Sequence, residues 1–132
     1  MKRKTIPKKV REAVYQKYDG HCAYCGKEID YKEMQVDHLI PFQRERWKKC
    51  SEEEIECFEN YLPSCRRCNH YKRAHSLEVF RKYIEEIPAK LYRDNYIYKV
   101  GLDYGLIESH EHKVKFYFEQ IDELNKAIEN KR

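Results

Sequence analysis

Two cysteine pairs constrain this chain more than any other feature of its 132 residues. Cys22 and Cys25 flank two residues, and so, far along the chain, do Cys65 and Cys68. A two-residue gap lets both thiolates of a pair turn toward one ion, and two such knuckles complete a tetrahedral four-sulfur zinc site. Gly26 follows the first pair and Asn69 the second, both turn-forming residues. Disulfides explain the pattern less well, because the opening MKRKTIPKK lacks the apolar segment of a secretory leader and a reducing cytosol is the expected setting. Dithiol redox chemistry fits poorly as well, since two pairs are present and neither has a thioredoxin-like surrounding. A four-sulfur site is closed and offers no open position for catalysis. Its work is to clamp two distant segments, which a small polar domain needs for stability. Cys50 and Cys57 have no comparable spacing and read as free thiols.

Charge is distributed in blocks. Lys2, Arg3, Lys4, Lys8, Lys9 and Arg11 open the chain without an acid, and Arg66, Arg67, Lys72 and Arg73 recur around the second knuckle. Between them SEEEIECFE, residues 51–59, holds five glutamates and no base. Two basic blocks parted by an acidic one suggest a face for a polyanion, although a solvated surface would account for charge alone. Charged residues make up 38% of the chain and no apolar run reaches the length of a membrane span, so no membrane partner is expected.

The pattern predicts an opening helix in TIPKKVREAVYQKYDG, with Thr5 as N-cap, Pro7 in the first turn and Gly20 as the stop. MQVDHLIP, residues 34–41, reads as a short strand ended by Pro41, and NYLPSC, residues 60–65, as a second. Residues 42–59 read as a long polar loop with a short helical piece. A short helix is expected at about 69–75 and a longer one to 87, interrupted by Pro88. Residues 89–107 are ambiguous between helix and strand. VKFYFE, residues 114–119, alternates like a strand, and Ile121, Leu124 and Ile128 suggest a closing amphipathic helix.

Asp37 and His38 stand side by side in the first strand, where neighbours point to opposite faces. Buried Asp and His need a partner or a metal. If the zinc clamp joins the knuckles, Asn69 at the start of the following helix can approach the strand end that carries Asp37. A carboxylate and an amide carbonyl are hard oxygen ligands, suited to Mg2+ or Mn2+. His38 beside such an ion could deprotonate a water for attack on a phosphodiester, with the basic blocks supplying affinity for the substrate. Each residue alone has a plainer reading: a hydrogen-bonded pair, a turn Asn60, a helix-capping Asn69. The aromatic tail, with Tyr92, Tyr96, Tyr98, Tyr104 and Tyr117, reads as packing rather than base stacking.

VDHLIP, then NYLPSCRRCN and Lys72, resembles the motif of the HNH endonucleases, in the branch that carries two Cys pairs. The resemblance covers residues 5 to about 75 and is of a phage and bacterial type. It implies an α+β fold: a small ββα-metal core with a structural zinc on Cys22, Cys25, Cys65 and Cys68, flanked by an N-terminal helix and a C-terminal extension of helix and strand. The expected boundaries are a basic arm and helix at 1–20, the core at 21–76, and an extension packing on the core at 77–132.

By the same resemblance His38 corresponds to the general base, Asp37 to a metal ligand and Asn60 to the central asparagine that fixes the connecting loop. Asn69 replaces the last motif histidine, an H-N-N variant, as second ligand to the catalytic Mg2+ or Mn2+. Arg73 stands where some relatives carry a further histidine, which implies an oxygen-rich site; His70 is a candidate extra ligand or phosphate contact. Arg66, Arg67, Lys72 and Arg73 are the expected DNA-phosphate contacts. The activity implied is hydrolysis of DNA, nicking or cutting both strands, in the cytoplasm, with a protein partner able to supply specificity. A non-catalytic zinc-ribbon module that binds nucleic acid is the alternative.

Overall fold

The computed structural model describes residues 5–41 and 52–131; the basic arm at 1–4, Cys50 and most of the long polar loop lie outside the described residues. Helix α1 spans Lys8–Gln16 and buries Val14 completely. Its N-cap is Pro7 rather than Thr5, with φ −61° and ψ 152° and no side-chain cap. Proline's fixed φ suits the extended residue that precedes a helix, and the Pro7 carbonyl accepts the first helical bond from the Arg11 N–H at 2.9 Å. The chain leaves α1 through Asp19 and Gly20, both at positive φ, and the Gly20 N–H returns to the Tyr15 carbonyl at 3.1 Å. This is the expected glycine stop.

The first knuckle follows as a tight loop closed by the His21–Glu28 bridge and by the Cys22 N–H donating to the Lys27 carbonyl at 2.8 Å. Strand β1, Gln35–His38, pairs antiparallel with β2, Tyr61–Ser64, in the register Gln35 to Ser64, Val36 to Pro63, Asp37 to Leu62 and His38 to Tyr61. Between them lies a one-turn helix α2, Glu52–Ile55, and a 3-10 turn, Phe58–Asn60. Pro63 is tolerated because a two-stranded sheet is all edge. Helix α3, Arg66–Lys72, starts earlier than the pattern predicted. The reason is the second knuckle: Cys65 is its N-cap, and the Cys65 sulfur accepts from the Cys68 N–H at 3.4 Å. Arg73 ends α3 at φ 52°.

The chain divides into two compact units, Met1–Leu77 with Lys115–Arg132, and Glu78–Val114. Three helices carry the run into and through the second unit: α4, Leu77–Glu85; α5, Ile87–Asp94; and α6, Tyr96–Asp103. Pro88 interrupts as expected, then serves in the first turn of α5, where its missing N–H costs nothing. The ambiguous stretch is helical because Asn95 caps α6, its side chain accepting from the Tyr98 N–H at 2.9 Å. Within this unit Arg81 Nη1 donates to the Val114 carbonyl at 2.8 Å, and Glu85 accepts from the Val114 N–H at the same distance. No helix among the described residues is long and apolar enough to cross a membrane.

The strand expected at 114–119 does not form. Helix α7, Tyr117–Asn130, starts inside it, and two of its first N–H groups are satisfied by the first knuckle: Tyr117 donates to the Tyr24 carbonyl at 3.1 Å and Phe118 to the Ala23 carbonyl at 2.8 Å. The alternation of Phe116 and Phe118 is a packing pattern instead. Both rings meet Tyr24 edge-on, at 5.5 and 6.1 Å between centroids. Gly26 belongs to the same junction. Its φ is +81°, and a Cβ there would stand 2.7 Å from Tyr117 Cδ1. Gly26→Ala should therefore lower stability by about 1–3 kcal/mol through strain and a displaced ring. A urea unfolding midpoint equal to that of the wild type would contradict this account of the junction.

Candidate functional site: a cysteine cluster and an Asp–His cavity

The four sulfurs of Cys22, Cys25, Cys65 and Cys68 all lie within 4.8 Å of one another. Tetrahedral zinc with Zn–S bonds near 2.3 Å places its sulfurs roughly 3.8 Å apart, and Cys25 and Cys65 stand at 4.0 Å. Backbone donors reach two of the sulfurs: the Cys65 N–H donates to the Cys22 sulfur at 3.3 Å, and the Cys68 N–H to the Cys65 sulfur. Protonation is divided unequally. The hydrogen bond from Cys68, assisted by backbone N–H groups and opposed by burial, draws Cys22 down to about 4. The same bond holds the proton on Cys68 and pushes that thiol up. Four sulfurs this close form a soft donor set that could hold zinc.

Asp37 and His38 leave β1 toward different partners. Asp37 is buried, and both of its contacts are on Oδ2: the Tyr24 hydroxyl donates to it and Lys72 Nζ lies 3.1 Å away. His38 is buried too, with Nε2 2.7 Å from Glu56 Oε1 and its ring edge-on to Tyr61 at 5.3 Å. Both residues still line one cavity of about 300 Å³, together with Gln35, Asn69 and Arg73. Helix α3 brings the last two there, Asn69 half-buried and Arg73 exposed. Asp37 and Asn69 both line this cavity and carry oxygen donors of the kind that could hold a divalent ion.

Asn60 acts on the backbone. Its Oδ1 accepts from the Ile40 N–H at 2.7 Å, and its Nδ2 donates to the carbonyls of Ile40 at 3.0 Å and Ile55 at 2.8 Å. The Asn60 carbonyl accepts from the Leu39 N–H at 2.9 Å. The chain leaving His38 is thus sewn to the segment returning toward β2.

The basic residues separate. Lys72, expected among the phosphate contacts, has no exposed surface; its ammonium is held by Asp37 and donates to the His38 carbonyl at 3.1 Å. A side chain so enclosed does not meet a phosphate from solvent, because its partners already compensate its desolvation. Arg66 and Arg67 are exposed and line a different cavity, with Lys27 and Glu33, and Arg66 pairs with Glu33 at 3.3 Å. His70 is exposed on α3 and is not among the residues lining the Asp37–His38 cavity.

Glu56 and Tyr24 were not read from the sequence, and Lys72 was read only as a phosphate contact. Glu56 was hidden in a run of glutamates, and the signal was the apolar Ile55 beside it, which is fully buried. Tyr24 sits between the two cysteines of a knuckle, a position that reads as filler. Lys72 stands four residues after Cys68, hence on the same face of α3 as a zinc-clamp sulfur.

Residues 22–75 match the HNH endonuclease family. Among solved structures, the crystal structure of the Type II-C Cas9 enzyme from Actinomyces naeslundii matches with 26% identity and a TM-score of 0.45, covering 55% of this chain and 8% of that one. Among curated proteins none matches.

The cysteine cluster predicts metal dependence of the fold. Elemental analysis should find about one zinc per chain, lost as acid protonates the thiolates. Cys22→Ser or Cys68→Ser should abolish cooperative unfolding. A well-folded protein purified without zinc would show that the four sulfurs need no ion.

Proposed function

We propose that the segment matching the HNH endonucleases, residues 22–75, is a metal-dependent endonuclease acting on DNA phosphodiester bonds. One observation carries the reading: Asp37, His38 and Asn69, from a strand and a helix, line a single cavity with an exposed arginine at Arg73. A carboxylate, an amide, an imidazole and a guanidinium around one space suit attack on a phosphodiester better than they suit packing.

Asp37 and Asn69 would hold the divalent ion, Mg2+ or Mn2+. When bound, that ion supplies positive charge to the developing phosphorane and the leaving 3′ oxygen. His38 takes a proton from the attacking water, and its burial against Tyr61 keeps the imidazole in one place. Lys72 pairs with Asp37 and holds the main chain at His38. Asn60 fixes the exit of β1, so the base cannot swing away. Arg73 binds the phosphate at the cavity, and Arg66 and Arg67 bind the DNA backbone beyond it. The products carry 5′-phosphate and 3′-hydroxyl ends.

A second reading has one observation in its favour. Asp37 is already satisfied by Tyr24 and Lys72, as it would be in a non-catalytic zinc-ribbon module that binds nucleic acid. Supercoiled plasmid incubated with Mg2+ or Mn2+ separates the two. Wild type should nick or cut it, and His38→Ala should lose about 10²–10⁴-fold in rate while binding DNA normally. Asp37→Ala should also lose cleavage, with partial recovery in excess Mn2+ that His38→Ala does not share. A wild type that cuts under no divalent ion, or a His38→Ala variant that cuts at full rate, would leave the binding module standing.

A further inference from the structure

Glu56 is a buried acid to which the proposed function gives no role. Its side chain has no exposed surface, and each of its oxygens has a single partner of a particular kind. Oε1 lies 2.7 Å from His38 Nε2, and Oε2 accepts from the Tyr61 hydroxyl at 3.1 Å. A buried carboxylate survives only where donors replace its water, and these two groups are those donors. They are not accidental neighbours. Tyr61 is the cross-strand partner of His38 in the β1–β2 register, and its ring stands edge-on to the imidazole at 86°.

The carboxylate is also held from behind. Asn60 Nδ2 grips the Ile55 carbonyl at 2.8 Å, one residue before Glu56. Lys17 Nζ binds the carbonyls of Phe58 and Tyr61, both at 2.5 Å, just after it. Ile55 itself is fully buried. The backbone on both sides of Glu56 is therefore pinned, and the carboxylate cannot withdraw from His38 without breaking a buried bond. The phenol of Tyr61 is pushed up to about 12, by burial first and then by its bond to Glu56, so it remains a donor through the neutral range.

We propose that Glu56 is a positioning residue for His38: its carboxylate accepts from Nε2–H and so fixes the tautomer and orientation of the ring. The chemistry follows directly. An imidazole whose Nε2–H is bound to a carboxylate is fixed in one tautomer and one ring orientation. When the imidazole takes a proton from water in the proposed reaction, the O–H bond breaks, the hydroxide oxygen uses that electron pair to attack phosphorus, the bond from phosphorus to the 3′ oxygen breaks with the oxygen keeping its electrons, and the imidazolium formed is still held by Glu56. Without Glu56 the ring can turn over or carry its proton on the wrong nitrogen. The inference rests on the nuclease reading for its consequence in catalysis, but not for its geometry.

Two measurements on the zinc-loaded full chain test it separately. The first is the 15N–1H correlation spectrum of the His38 ring, without DNA or added divalent ion, at alkaline pH where the imidazole is neutral. Wild type should show the Nε2–H tautomer. Glu56→Gln, which keeps an acceptor oxygen, should retain it, and Glu56→Ala should lose it. The second is plasmid cleavage. Glu56→Ala should lower kcat by about 10–100-fold with KM for DNA unchanged, and Glu56→Gln should restore part of that loss. A wild-type ring protonated on Nδ1, or a tautomer and kcat indifferent to both variants, would overturn the proposal. Should Glu56→Ala fail to fold, the wild-type spectrum and the Gln variant still decide it. A wild type that never cleaves, yet shows the Nε2–H tautomer lost only in Glu56→Ala, would sink the nuclease reading and keep the Glu56–His38 assignment.

Discussion

Four sulfurs within 4.8 Å of one another are a constraint before they are a site. As thiolates they repel, as thiols they are poor donors, and a shared cation could relieve both at once. Everything near the cavity is built out from that cluster. Cys65 caps α3, so the helix starts at the knuckle and delivers Asn69, Lys72 and Arg73 at fixed offsets. The first knuckle offers its Ala23 and Tyr24 carbonyls to the start of α7, while the Tyr24 hydroxyl reaches Asp37. One short loop thus joins the clamp, the closing helix and the acidic residue of the cavity.

The second constraint is electrostatic. Asp37 and Lys72 are both buried, 3.1 Å apart, and removing one partner from such a pair commonly costs about 3–5 kcal/mol because the other is left uncompensated. Lys72 also binds the His38 carbonyl, which ties the charge pair to the position of His38. On the proposed function this has a consequence for metal affinity. A carboxylate already neutralised by an ammonium, with a neutral amide beside it, brings little net charge to a divalent ion. Tight binding would then draw on the phosphate oxygens of the substrate, as Mg2+ sites commonly do.

Legibility in the sequence followed the range of the interaction. The Cys pairs and the glycine stop after α1 are local patterns that stand where they were expected, whereas β1 lies inside the expected 34–41 but already ends at His38, before Pro41. The failures involve partners distant in sequence. Phe116 and Phe118 alternate as a strand would, but they alternate around Tyr24, and the helix begins between them because the knuckle carbonyls take its first N–H groups. Lys72 looked like a surface cation because its charge was counted without Asp37 and Tyr24. Glu56 could not be singled out from its neighbours, since its distinction is the imidazole reached from 18 residues away.

The adjacency of Asp37 and His38 poses a steric puzzle that the sheet's narrowness resolves. Alternation sends consecutive side chains to opposite faces, and in a wide sheet a single cavity could not collect both. Among the described residues the sheet has two strands, β1 ends at His38, and the chain turns away under the grip of Asn60. At such a margin both faces open onto the same space. Asp37 can then be served from the side of Tyr24 and α3, and His38 from the side of Glu56 and Tyr61, without the two sets of partners competing. A third strand hydrogen-bonded to β1 would cover that margin and part the pair. The smallness of the sheet is therefore a requirement of the cavity.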